Sequence, residues 1–315
     1  MKDASRSSII AAYAAIYLIW GSTYLGIRFA IETLPPFLMG GVRFMLAGII
    51  LYAFMRARGA DKPSPIHWRN AAIVGAFLLL GGNGAVVWAE QVVPSGITAL
   101  LVAILPFWLV LVDWLRPRGT RPSLGVAIGL IMGLIGLVIL IGPSALNPDP
   151  AAADAASKGN GVVLVGAIVL MLGSLSWAIG SIFSRDAELP KSAFVATGME
   201  MLAGGVMLFV TGLLRGELMQ FDPAGVSTRS IAAFVYLTTI GSLVGYTAYI
   251  WLLTVQPASR VSTYAYVNPV VAVFLGWALA GEPLSIRTAI AAAIIIGAVV
   301  VITTARSSSP PQAEA

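Results

Sequence analysis

The side chains able to do chemistry in this sequence lie mostly inside long apolar runs, and most are aromatic hydroxyls, indoles and amides. Tyr13, Tyr17, Trp20 and Tyr24 recur at intervals of four, three and four residues, which puts them on one face of a helix beside Ser22 and Thr23. Trp177, with Ser174 and Ser181, occupies a corresponding stretch later in the chain. Ser242, Tyr246 and Tyr249 share a face; Tyr264 and Asn268 stand four apart just before Pro269, with Tyr266 on a neighbouring face. Asn83 lies in an apolar run that ends in Trp88 and Glu90. Arg43 and Glu200 are the charges deepest in their runs. Polar groups in such runs are costly unless they meet a cavity or a partner, so each is a site candidate. Together they offer apolar walls with a few donors and acceptors, the chemistry of holding a small solute. The competing reading of each aromatic stripe is ordinary packing against neighbouring helices.

Bond-making chemistry finds little support. With no cysteine there is no disulfide, thiolate nucleophile or zinc-thiolate cage. The single histidine, His67, sits beside Trp68 and Arg69 in a polar segment and reads as a solvated residue. No GxxxxGK[ST], HExxH or GxSxG motif occurs, and the apolar runs hold no clustered carboxylate pair. No metal, cofactor or direct use of ATP is therefore expected, and an enzyme is not. The basic residues are scattered rather than interleaved with aromatics, which argues against nucleic acid.

The elements that must position these groups follow from composition. Of 315 residues, 58% are hydrophobic and only 10% charged, with mean hydropathy +0.89. Soluble domains run about 45–50% apolar and about 25% charged, so the surplus must face lipid. The expected fold is all-α, a polytopic membrane protein with ten spans at 9–30, 36–55, 70–90, 94–114, 122–142, 161–183, 192–214, 229–252, 258–280 and 285–304. The first is too long and lacks the small-residue cleavage site of a signal peptide, so it reads as a retained helix. Most Lys and Arg residues, among them Lys2, Arg6, Arg56, Arg69, Arg116, Arg185 and Arg306, fall on the side of the N-terminus. The positive-inside rule then places both termini in the cytoplasm.

A shift of 163 residues brings Gly82 onto Gly245, Trp88 onto Trp251, Pro94 onto Pro257, Pro106 onto Pro269 and Trp114 onto Trp277. This divides the chain into a five-span repeat at 1–146, a linker at 147–160, a second five-span repeat at 161–306 and a disordered tail at 307–315. An odd number of spans per repeat inverts the second half, an architecture that suits alternating access to a central path. Pro106 and Pro269 are then hinge candidates, or static kinks. Trp88 and Trp251 are candidate plugs at opposite mouths, or interfacial anchors. Arg43 and Glu200 can pair with each other; alternatively Arg43 attracts a substrate carboxylate and Glu200 carries a coupling proton. Asp113 can meet the basic Arg116–Arg121 segment. Small residues at Gly125, Gly129 and Gly133, and at Ala289, Ala293 and Gly297, predict close helix packing, between the halves or in a dimer. A monomer is expected, with a homodimer as the alternative.

The run from Tyr17 to Gly48, YLIWGSTYLGIRFAIETLPPFLMGGVRFMLAG, resembles the opening of EamA-type members of the drug/metabolite transporter superfamily. The run from Ala258 to Glu282, ASRVSTYAYVNPVVAVFLGWALAGE, resembles that family's ninth helix and its exit. The resemblance spans residues 8–305. It implies a ten-helix secondary transporter of the bacterial inner membrane, commonly an exporter of amino acids or related metabolites, with a cavity lined mainly by helices 1, 3, 4, 6, 8 and 9. The expected substrate-binding residues are Tyr17, Trp20, Thr23, Tyr24, Asn83, Trp177, Ser181, Tyr246, Tyr249, Tyr264 and Asn268. The expected partners are a small-molecule substrate and the bilayer. Export of cationic or amphipathic drugs is the first alternative; an enzyme on lipid-linked substrates and a non-transporting scaffold are the others.

Overall fold

The computed structural model describes residues 5–116, 121–141, 153–256, 261 and 263–307, and these contain helices and no strand. Residues 147–152 of the expected linker, the tail beyond Ser307, and Pro257 of the repeat lie outside the described residues. Ten main helices follow in chain order: α1 Arg6–Ala30, α2 Pro36–Ala57, α3 Pro65–Ala89, α4 Ser95–Leu115 and α5 Leu124–Ile141. Then come α6 Ala153–Asp186, α7 Ala193–Leu214, α8 from Thr228–Tyr236 through Gly245–Val255, α9 Tyr264–Ala280 and α10 Ile286–Ser307. Among the described residues seven helices are long and apolar enough to cross a membrane, with shorter apolar helices at Leu124–Leu140, Val267–Ala280 and Ile286–Ile302. These are the expected spans, in order. α6 begins at Ala153, inside the segment expected to be linker.

Local sequence explains the helix ends. Ser5 accepts from the Ser8 amide at 3.2 Å and Ser227 from the Ser230 amide at 3.1 Å, capping α1 and α8. His67 Nδ1 accepts from the Ser64 amide at the start of α3, an end-capping role at the surface. Gly281 ends α9 at φ +66°, a left-handed conformation that glycine adopts freely. Two carboxylates cap helices from far away in sequence. Glu217 accepts from the amides of Phe37 (3.2 Å) and Leu38 (2.9 Å) at the start of α2. Glu282 accepts from Ser95 N (2.7 Å), Ser95 Oγ (2.8 Å) and Gly96 N (3.0 Å) at the start of α4.

Small residues set the helix pairing. α2 and α7 pack antiparallel: Gly41 meets Phe209, Met45 meets Gly205, and Gly48 meets Gly198 and Leu202. A Cβ on Gly48 would fall 2.8 Å from the Gly198 carbonyl oxygen, so the backbones touch. α5 and α10 do the same, with Gly129 against Ile302 and Gly136 against Ile295. The small-residue stripe of α5 thus joins the two halves of one chain. Around these pairs, α1 packs on α8 and α9, while α6 packs on α3 and α4. Exchanging the halves maps this pairing onto itself. Outward-facing Leu18, Ile49, Phe54, Ile131, Val138 and Leu172 are exposed, as lipid contact requires.

Two stretches depart from α geometry in equivalent places. Ala76–Asn83 in α3 and Leu237–Val244 in α8 are π-helical, a form frequent at functional sites. α4 is interrupted between Val102 and Leu105, and Pro106 sits in the first turn of its second piece. Pro269, its match in sequence, lies inside a continuous α9. The two prolines therefore do not make equivalent breaks.

Candidate functional site

Between the halves lies a cavity of about 160 Å³. α1 enters it with Trp20, Thr23, Tyr24 and Ile27, successive members of one helical face. The remaining polar lining comes from Arg43 on α2, Asn83 on α3, Ser174 and Trp177 on α6, Tyr246 on α8, and Tyr264 and Asn268 on α9. Val102 and Leu105 flank the interruption in α4, and Gly82 and Gly241 belong to the two π-helical stretches. The site therefore sits where both wide helical turns meet the broken helix.

Trp20 is the centre of an aromatic cage. Its ring centroid lies 5.3 Å from Tyr246, 5.1 Å from Tyr249 and 5.1 Å from Tyr264, the last edge-to-face at 86°. Tyr249 and Tyr264 close the cage at 5.9 Å. The indole Nε1 donates to the Gly241 carbonyl at 3.3 Å, fixing the ring against α8. Asn268, with its amide nitrogen toward them, donates to the carbonyls of Tyr17 and Tyr264, each at 3.2 Å. Toward the chain termini the cage rests on the buried cluster Ile16, Leu252 and Val261.

Among the described residues, Arg43 is the single charged one in the lining. Its Nε donates to Ser242 Oγ at 3.0 Å, and its guanidinium carbon stands 4.6 Å from the Phe44 ring centroid. A guanidinium has five donors, so the terminal nitrogens remain to meet an acceptor in the cavity. The pair with Glu200 does not form: no ion pair to Glu200 occurs among the described residues. The reason is packing. In the antiparallel pair of α2 and α7, Gly41 and Met45 lie against Phe209 and Gly205 while Gly48 lies against Gly198 and Leu202, so Arg43 is out of register with Glu200. The π-helical stretch of α8 brings the Ser242 hydroxyl to the guanidinium instead.

Of the residues expected to bind substrate, Trp20, Thr23, Tyr24, Asn83, Trp177, Tyr246, Tyr264 and Asn268 line the cavity. Three do not. The Tyr17 hydroxyl meets Thr263 Oγ1 at 2.5 Å, Tyr249 stands behind Trp20, and Ser181 lies a turn beyond Trp177 on α6. Trp88 and Trp251 are half-buried in packed clusters and do not line the cavity. Pro106 faces a small apolar gap between α4, α5 and α10. Helix α2 is the contributor that the resemblance omitted. Its Phe44 carries no signal in sequence beyond being apolar, whereas the neighbouring charge of Arg43 does. Asp113 meets Arg116 at 3.1 Å and Arg185 at 3.7 Å, and Arg116 meets Asp186 at 2.8 Å, tying the ends of α4 and α6 together.

Comparison with known proteins agrees with this architecture. The EamA-like transporter family matches residues 7–142 and 164–304. The chain is 40% identical over 278 residues to a protein of Escherichia coli K12 named "Uncharacterized inner membrane transporter YedA", covering 88% of this chain and 84% of that protein. It is 23% identical to the "Uncharacterized transporter YoaV" of Bacillus subtilis, over 91% of this chain and 93% of the other. It is 26% identical to "Protein PecM" of Dickeya dadantii, over 85% and 82%. A crystal structure of a protein 23% identical in sequence superposes with a TM-score of 0.62, covering 95% of this chain and 99% of the other, which shows the same fold.

Proposed function

The chain belongs to the EamA-like transporter family, and on that premise we propose that it is a secondary transporter exporting small zwitterionic metabolites, amino acids foremost, across the bacterial inner membrane. The observation that carries this reading is the lining of the cavity: one guanidinium, two carboxamides and a cage of aromatic rings, with no acidic side chain among the described residues. A carboxylate suits the free donors of Arg43. The rings give an apolar side chain its walls, and their faces suit an ammonium group. A cationic drug would meet Arg43 with no counter-charge beside it. The volume of about 160 Å³ also falls below the roughly 300–1,000 Å³ of sites for drug-sized ligands.

The route is alternating access. Two five-helix repeats of opposite orientation fit the match of one family to each half, and the antiparallel packing of the equivalent helices α2 with α7 and α5 with α10 supports the inversion. Substrate binds at the cage, with Trp20, Tyr246 and Tyr264 as walls and Asn83, Asn268 and Arg43 as polar partners. The excess of Lys and Arg on the side of the N-terminus puts both termini in the cytoplasm. Chemistry on the solute has no part in this reading.

The test is flux of a panel of radiolabelled amino acids in proteoliposomes, with the decarboxylated amines and a cationic amphiphile alongside. Amino acids are expected to cross faster than in empty liposomes, and Trp20→Ala to abolish the difference with the helical content intact. Flux of the amines or the amphiphile alone would overturn the zwitterion reading.

A further inference from the structure

Glu90 ends α3 one turn beyond Val86, which lines the cavity, and is fully buried. Neither of its carboxylate oxygens has a hydrogen-bond partner among the described residues. The contrast with the other long-range carboxylates is sharp. Glu217 and Glu282 each accept two backbone amides, and Glu282 a hydroxyl as well. Arg28, the cation at hand, gives its Nη1 to the backbone carbonyl of Glu90 at 2.6 Å. Beside Glu90, Ala89 and Val93 are fully buried in an apolar cluster with Leu100 of α4 and Leu170 of α6.

The groups that face Glu90 are few. α1 brings Tyr24 and Arg28, and Glu282 follows α9. α6 has no titratable residue between Gly161 and Phe183. On α2 the corresponding end, Pro36 to Ala47, has only Arg43, which is bonded to Ser242. An ionised carboxylate without donors in such a place is far costlier than the neutral acid. Tyr24 links the two regions, since its ring lines the cavity and its charge environment includes Glu90.

We propose that Glu90 is a proton-binding site whose occupancy is tied to the conformation of the cavity. The neutral carboxylic acid belongs to the closed packing of α3 against α1 and α4. When that end of α3 reaches water, the acid gives its proton to water and the carboxylate is stabilised by hydration; rebinding takes a proton from the side then open. A ligand shifts a conformational equilibrium by its difference in affinity between the states, and here the ligand is the proton. The proposal rests on the transport reading for its purpose alone, the coupling of solute movement to a proton gradient.

The chain has no cysteine, so Ser174→Cys in the cavity wall supplies a single thiol. Maleimide labelling of that thiol in purified protein is followed from mildly acid to mildly alkaline pH, with and without Glu90→Gln. The expected result is a rise in labelling rate with pH that loses its conformational component in Glu90→Gln, leaving the thiol's own titration. Glu90→Asp, which keeps an acid, retains the excess at a shifted midpoint. The infrared difference spectrum between acid and alkaline pH is expected to contain a carboxylic-acid carbonyl band that disappears in Glu90→Gln. Equal pH dependence in the two backgrounds, or a spectrum unchanged by the substitution, overturns the proposal. Both readouts need no transported solute, so failure to find one counts against the transport reading alone.

Discussion

The indole of Trp177 lies across Gly82 so closely that a Cβ on the glycine would fall 2.6 Å from the ring Cε3. Trp20 does the same to Gly245, where a Cβ would stand 2.5 Å from Nε1. In each contact the tryptophan comes from one half and the glycine from the other, at a π-helical stretch or directly after it. The joint between the halves is made twice, once on each side of the cavity.

Gly82→Ala and Gly245→Ala are expected to push the two indoles into the cavity. Overpacking of this kind costs about 1–3 kcal/mol, so thermal unfolding in detergent shifts down while flux falls more steeply. Gly133→Ala is the control: its Cβ would lie 3.6 Å from the Ala298 Cβ, an ordinary contact, so flux should hold and unfolding should shift up by the helix preference of alanine alone, about 0.5–1 kcal/mol.

Arg43→Lys keeps the charge but removes the planar fork that can hold a carboxylate and Ser242 together. Loss of a hydrogen bond to a charged group costs about 1.5–3 kcal/mol, so KM for a transported amino acid should rise roughly ten- to a hundredfold. Ser242→Ala should have a smaller effect in the same direction. An unchanged KM in Arg43→Lys would leave the guanidinium a packing role only.

Trp20→Ala removes the centre of the aromatic cage; because the ring is only partly buried and lines a cavity, the loss should fall below the roughly 3–5 kcal/mol of a fully buried tryptophan. Trp20→Phe keeps ring contacts with Tyr246, Tyr249 and Tyr264 and loses the bond to the Gly241 carbonyl, about 1 kcal/mol. Chemical unfolding in mixed micelles separates the two variants.

Glu282→Ala strands two amides and a hydroxyl at the start of α4, where Ser95 is fully buried. The expected loss is about 1–3 kcal/mol. Glu217→Ala strands the amides of Phe37 and Leu38, 8% and 7% exposed, where water can partly substitute, and should cost less. Paired melting curves give the order.

The spans were legible because a bilayer imposes length and apolarity on each helix, and the interval of Tyr13, Tyr17, Trp20 and Tyr24 was enough to put them on one face. Depth was not. Trp20 and Tyr24 reach the cavity, while the hydroxyl of Tyr17 is taken by Thr263. The match of Gly82 with Gly245 could be seen in the chain, but its cause could not, because the rings they accommodate arrive from the opposite half. Pairing deep charges by sign joined Arg43 to Glu200; the partner is a hydroxyl on a helix almost two hundred residues away, chosen by packing. Glu90 read as a helix-end group, and only the closure of α1 and α4 over it makes it interior.

The wide turns in α3 and α8 have a mechanical meaning. A helix that changes its bonding pattern by one residue turns everything beyond by about 100°, the angle per residue of an α-helix, without breaking the chain. Ala76–Asn83 and Leu237–Val244 hold that slack in store. Asn83 and Val86 lie at the far end of one such spring, and Tyr246 just past the far end of the other. The parts of the wall best able to twist are thus parts that line the cavity, so the torsion of the two helices and the shape of the space between the halves are set by the same two turns.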